Sequence, residues 1–324
     1  MHRTRLYRNG VMEKENFPPA DISDYVCQPD TLVWFDLCGP NEADLKTISE
    51  ELGLHPLAVE DAIHEHQRPK IDHYASHLFL TAYSVALDRE TATLPTAEIS
   101  AFITTNALVT VRQSDVFDVD ALTARWDAAG PDLAGSGVAF LLHGLLDYVV
   151  DTQFDAIQSL DTDIEALEDE LFAESVKDTT MQRRTYQLRK SLVILRRVVL
   201  PMREVVNTLL RRDLKIINET TMPYFQDVYD HVLRASEWTE SLRDLIANIY
   251  ETHLNLRGNR LNVIMKQVTS WAAIIAVPTA VTGWYGQNIP YPGFGHESGL
   301  WTSVIVTVSL IALLYVLFRR KGWL

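Results

Sequence analysis

Two stretches near the C-terminus run uncharged and predominantly apolar for about five helical turns each, a pattern that neither a surface amphipathic helix nor an alternating strand produces. From Gln267 to Tyr285 the chain reads QVTSWAAIIAVPTAVTGWY, with no ionisable group except the Tyr285 phenol. From Leu300 to Phe318 it reads LWTSVIVTVSLIALLYVLF, nineteen residues without a formal charge. Each is long enough to cross a hydrocarbon core of about 30 Å as a helix. Pro278 and Gly283 interrupt the first run, but a membrane helix tolerates both where a neighbouring helix or a water-filled path satisfies the freed backbone groups. The pattern therefore predicts two membrane-spanning helices.

Upstream, short segments of mixed period come first. TLVWFDL (31–37), HLFLTAYSVAL (77–87) and EISAFITTNALVTVRQ (98–113) are rich in β-branched and aromatic residues and predict strands, with Thr105-Asn106 at a hairpin turn. GPNEADLKTISEELG predicts a capped helix that stops at Gly53. Beyond Gly137 the period becomes helical. Leu160, Ile164, Leu167 and Leu171 recur every three or four residues in one helix over 138–173, and a second runs over 181–211. A third starts near Met222 and Pro223 and meets no Pro or Gly before Gly258. If continuous to Tyr285, roughly 60 residues make a rod of about 90 Å. The predicted fold is an α+β domain (1–136), long stalk helices (137–265) and a two-helix membrane domain (266–324) with a connecting loop at 286–299.

Charge orients this arrangement. Arg257, Arg260 and Lys266 precede the first span, Arg319, Arg320 and Lys321 follow the second, and the loop between has neither Lys nor Arg. The positive-inside rule places both termini in the cytoplasm and the loop outside. No N-terminal signal peptide is expected, because MHRTRLYRNGVMEKENF has no apolar core. The net charge of −14 argues against nucleic acid as a partner and for cations nearby. Cys27 and Cys38 show no zinc-ligand spacing and are expected to be reduced thiols.

Candidate chemistry is sparse, and no phosphate loop, nucleophile elbow or other catalytic constellation stands out, so no enzyme and no cofactor is expected. His64 and His66 in HEHQRPK have i, i+2 spacing, which points them to different helix faces. Gln67, Arg68 and Pro69 read as a structural turn. The acidic positions of 155–174 offer either a divalent-cation surface or a solvated face paired with the arginines that follow. Between the two spans lies GWYGQNIPYPGFG, an uncharged, amide-bearing, turn-rich segment.

Three segments in this order, HPLAVEDAIHEHQRPKID (55–72), YFQDVYDHV (224–232) and YGQN (285–288), resemble the CorA-type divalent-cation transporters over nearly the whole chain. FRRKGWL is similar to the family's basic ending. The resemblance implies a funnel-shaped homopentamer in the cell's inner (plasma) membrane, stalk helices around a pore, and a Tyr-Gly-Met-Asn signature at its outer mouth. Here Gln287 stands where that signature has Met, which bears on selectivity more than on fold. It implies a selectivity filter of Tyr285, Gly286, Gln287 and Asn288, with five Asn288 amides offering neutral oxygens to a hydrated ion that sheds water reluctantly. A small and polar helical stripe of Asn262, Thr269, Ala276, Thr279 and Gly283 suits a pore wall, and Val268 is the candidate hydrophobic constriction. Asp227 matches the family's inter-subunit regulatory cation site, with Asp88 as candidate partner. The implied activity is inward passage of Mg2+, with Co2+ and Ni2+ as further cargo, under feedback by cytosolic Mg2+. The alternatives are a zinc transporter of the same superfamily, coupled to protons, and a two-span membrane sensor without transport.

Overall fold

The computed structural model describes residues 2–28, 30–64, 67–88, 93–133, 135–171, 178–211 and 216–324. Contacts divide the chain into two units, Met1–Asn248 and Ile249–Leu324. The first is built on seven strands, β1 (His2–Arg8), β2 (Val11–Glu15), β3 (Thr31–Cys38), β4 (Lys70–His73), β5 (Leu78–Val85), β6 (Thr96–Ile103) and β7 (Ala107–Arg112). They lie in the order β2-β1-β3-β7-β6-β5-β4. Only β3 and β7 pair in parallel; the other neighbours are antiparallel. The strands expected at 31–37, 77–87 and 98–113 are β3, β5 and the β6–β7 hairpin.

Strand side chains alternate between two faces, and here both faces are covered. Trp34, Leu80, Ile99 and Leu108 enter one core with Trp126, Leu142, Val206 and Phe225 from the long helices. Val33, Phe35, Phe79 and Val109 enter the other, against Leu45, Ile48 and Ala58. The second core is closed by α1 (Ile22–Val26), α2 (Glu42–Leu52) and α3 (Pro56–Ile63). Helix α2 begins at a capping box, in which Asn41 accepts from the Asp44 N–H and the Asp44 side chain accepts from the Asn41 N–H, and ends at left-handed Gly53.

The other face carries α4 (Val119–Leu133), α5 (Val138–Leu171), α6 (Asp178–Leu209) and the first turns of α7 (Met222–Tyr285). Glycine is required at 144 in α5, because a Cβ there would stand 2.4 Å from Trp126 Nε1. That close approach lets the Trp126 N–H donate to the Leu141 carbonyl at 3.1 Å. Glu170 at the end of α5 pairs with Arg184 near the start of α6, so the acidic and basic helices form a hairpin. The acidic face is thus engaged with the following arginines at this point.

The β1–β2 hairpin is an addition to what the sequence pattern showed. Its turn residues Asn9 (φ 50°) and Gly10 (φ 75°) are both left-handed, as a two-residue hairpin turn of this hand requires.

In the second unit, α7 runs on to Tyr285 with Pro278 inside it, and α8 spans Glu297–Arg320. Both contain apolar stretches long enough to cross a membrane, and those stretches are almost wholly uncovered by protein. Two hydroxyls within them are satisfied one turn back: Ser270 donates to the Lys266 carbonyl and Thr307 to the Ser303 carbonyl, each at 2.7 Å. Such bonding removes the cost of placing a hydroxyl in hydrocarbon.

Candidate ion pathway and regulatory residues

The amide-bearing segment forms where α7 ends. The Gly286 N–H donates to the Thr282 carbonyl at 2.8 Å and the Gln287 N–H to the Trp284 carbonyl at 3.3 Å, which closes the last turn. A Cβ at 286 would lie 2.9 Å from that Thr282 oxygen, so glycine suits this turn sterically. Gln287 and Asn288 follow immediately, both exposed, and neither side-chain amide bonds to another described residue. Their oxygens are therefore available to an ion or its water shell. The negative end of the α7 dipole reaches the same point and favours a cation there, a contribution residue types alone did not reveal.

The stripe expected to line a pore lies on one side of α7. At 100° per residue, Asn262, Val268, Thr269, Ala276, Thr279 and Gly283 fall within an arc of about 120°. All six are exposed in the single chain. The buried side is different, and holds Ser270 at 0 % and Ile274 at 7 % exposure. The stripe therefore occupies a face that another subunit, or an aqueous path, is free to meet.

The regulatory candidates lie in the first unit. Asp227 is on α7, 65 % exposed, with its carboxylate 3.6 Å from His231 Nδ1 one turn on. Asp88 sits in an isolated bridge with Thr93, to whose carbonyl its N–H donates at 3.0 Å. No cluster of three or more His, Cys, Asp or Glu side chains able to hold a metal ion occurs among the described residues. One chain alone thus supplies no complete cation site around Asp227. His64 caps the end of α3, His66 lies outside the described residues, and the Gln67 carbonyl accepts from the Tyr83 hydroxyl, which fits a structural turn.

A charged group beside Asp227 escaped the sequence reading because its members are far apart in the chain. Arg125 on α4 donates to Asp147 at 3.2 Å and to Asp151 at 2.7 Å on α5. His143, one turn before Asp147, packs edge-on against Tyr224 and Phe225 of α7, with ring centroids at 5.5 and 5.7 Å. Burial pushes the His143 pKa below the ordinary 6.5, while the charges of Asp147 and Asp227 pull it partly back. Burial, with help from Asp151, pushes the Asp147 carboxyl above 3.8. The two act with opposite sign. Stability tied to His143 is present above pH 6.5 and is lost as pH falls through its folded value; that tied to Asp147 is complete below pH 3.8 and declines as pH rises through its folded value. As pH falls below 6.5 the contribution tied to the histidine is lost, so this group lowers the melting temperature on acidification through its titration. Differential scanning fluorimetry should show a smaller fall for His143→Phe, and an equal fall in both proteins would remove His143 as the cause.

An α/β domain followed by a long helix that enters a two-span hairpin, with an amide turn between the spans, defines a class of two-span membrane transport proteins. The chain belongs to the family of CorA-like Mg2+ transporter proteins, which it matches over residues 29–320. It is 30% identical to the cobalt/magnesium transport protein CorA of Thermotoga maritima over 97% of this chain and 90% of that protein. The corresponding protein of Methanocaldococcus jannaschii is 26% identical over 98% of both chains. The complete structure of the CorA magnesium transporter from M. jannaschii superposes with a TM-score of 0.80 at 22% identity, covering 99% of this chain and 98% of that one. The protein is a membrane protein of that fold.

Proposed function

We propose that the protein is a homopentameric channel that admits Mg2+, and also Co2+ or Ni2+, into the cytoplasm. The observation that carries this reading is the pair of unengaged amides, Gln287 and Asn288, at the C-terminal end of a helix whose small and polar stripe is uncovered. Repeated around an axis, Asn288 makes a ring of neutral oxygens. Such a ring attracts a hydrated divalent ion without trapping it as five carboxylates would, and conduction needs exit as much as entry. Asn262, Val268, Thr269, Ala276, Thr279 and Gly283 would line the path below, with Val268 as its apolar constriction. The clusters of Arg and Lys at the inner ends of both spans support cytoplasmic termini.

No ATP site is invoked, because a divalent ion entering an inside-negative compartment gains about 4.6 kcal/mol per 100 mV. Asp227, with Asp88 or another donor from a neighbouring subunit, would hold a regulatory Mg2+ that screens carboxylate repulsion and favours the closed state. Such feedback requires that the ion bind that state better.

Uptake into proteoliposomes tests the reading, with Mg2+, Co2+, Ni2+ and Zn2+ compared under an inside-negative potential and under a pH gradient. Mg2+ entry that follows voltage and ignores the pH gradient is the expected result. Zn2+ entry driven by the proton gradient would overturn it in favour of a proton-coupled zinc transporter. No flux of any ion would point to a membrane sensor.

A further inference from the structure

The segment after Asn288 is tied back on itself and on to α8. The Tyr291 ring meets the Tyr285 ring at 5.0 Å and 79°, and the Phe294 ring at 5.2 Å and 88°, two edge-to-face pairs sharing one member. The Phe294 N–H donates to the Tyr291 carbonyl at 2.9 Å and the His296 N–H to the Gly293 carbonyl at 3.1 Å. Gly293 has φ +90°, and a Cβ on it would lie 2.9 Å from Gly299 Cα. A Cβ on Gly299 would in turn lie 2.4 Å from the Gly293 oxygen. Two backbones touch there, and only glycine at both positions permits it.

Asn288 is midway between Tyr285 and Tyr291, three residues from each. A contact between those rings closes a short loop whose centre is Asn288, and Pro290 and Pro292 remove further backbone freedom from it. The Gly293–Gly299 contact then fixes the loop to the first turn of α8, at its buried residue Gly299. Without these ties Asn288 would sit in an exposed segment with no bonded side chain to hold it.

We propose that Tyr291, Phe294, Gly293 and Gly299 are positioning residues, a clasp that holds the Gln287–Asn288 amides at one spacing and so sets Mg2+ affinity and discrimination against Ca2+. This rests on the channel reading above. The chemistry follows from the two ions: Mg2+ demands near-ideal octahedral geometry and keeps its waters, whereas Ca2+ accepts more ligands in flexible arrangements. A fixed amide ring favours the first, and a loosened ring relaxes the preference. Preorganisation also lowers the ordering cost at each binding event.

The test measures Mg2+ uptake against concentration, and Ca2+ uptake in parallel, in proteoliposomes of the full chain. Wild type, Tyr291→Phe, Tyr291→Ala and Gly299→Ala are compared. Tyr291→Ala removes both ring pairs and is expected to raise the half-saturating Mg2+ concentration about tenfold and to admit Ca2+. Gly299→Ala forces the backbones apart and is expected to do the same. Tyr291→Phe keeps the rings and should retain wild-type values, with assembly retained in all four. If Tyr291→Ala does not assemble, Tyr291→Leu and Gly299→Ala carry the comparison. A conducting wild type with unchanged half-saturation and Ca2+ exclusion in Tyr291→Ala (or Tyr291→Leu) and Gly299→Ala overturns the clasp while leaving the channel intact. A wild type that conducts neither ion overturns the channel reading and the clasp with it.

Discussion

Mg2+ uptake by Asn288→Ala is expected to fall about 100-fold or more, with assembly and melting temperature unchanged. A hydrogen bond involving a charged group contributes roughly 1.5–3 kcal/mol, and the loss of two such contacts from an amide ring already reaches that factor. Asn288 is exposed and makes no side-chain hydrogen bond to another described residue, so its removal leaves no buried group unsatisfied in the single chain. Loss of flux would therefore report on the ion and not on folding. Gln287→Ala is the natural companion. If Gln287 faces the same ion, its loss should weaken uptake as well, by less. Uptake of Asn288→Ala at the wild-type level would remove this residue from the pathway and leave the Gln287 amide and the α7 carbonyl end as the polar features there.

The sequence was most legible where a local rule decides a structure. The Asn41 capping box and Gly53 delimit α2 because both ends are determined by residues within one turn. The β6–β7 hairpin follows from two β-branched runs around Thr105-Asn106. Both spans follow from hydropathy, since backbone satisfaction in lipid leaves helices as the economical solution. The β1–β2 hairpin was obscured by its composition. Three arginines lie in β1, and β2 is exposed throughout, so no apolar alternation marks either. Arg5 is held there by Glu15 at 2.9 Å and by Asp127 of α4 at 3.0 Å, a pairing 122 residues apart. Asn9-Gly10 was the available signal.

The same distinction holds for the candidate functional residues. Asn288 and the small stripe of α7 are visible as residue types at helical spacing. The clasp is not, because it depends on two glycine backbones meeting across a turn. Nor is the group of Arg125, His143, Asp147 and Asp227, which α4, α5 and α7 bring together from distant positions. By sequence, Asp227 is paired only with Asp88, as a regulatory cation site. In the fold it stands beside titratable neighbours that share its electrostatic environment.

Arg112→Met is expected to destabilise the protein by about 3–5 kcal/mol, the usual cost of stranding one member of a buried ion pair. Asp36 is 2 % exposed and lies on β3, beside the central strand β7 that carries Arg112. Arg112 Nε and Nη2 each approach its Oδ2 at 3.0 Å, the Thr110 hydroxyl donates to its Oδ1 at 2.7 Å, and the Trp34 N–H donates to that hydroxyl oxygen at 3.1 Å. Methionine fills the volume of the arginine stem, so the cost arises from the uncompensated carboxylate rather than from a cavity. The pair joins β3 to β7, the only parallel neighbours among the described strands, so its loss weakens the join between the N-terminal strands and the β4–β7 half of the sheet. Denaturant unfolding of the full chain in detergent, followed by tryptophan fluorescence, measures the effect, with Trp34 close to the altered site. Substituting Asp36→Leu together with Arg112→Met removes both charges and should recover much of the loss. A single-variant cost below about 1 kcal/mol would place the pair in the range of solvated surface salt bridges and refute its buried character.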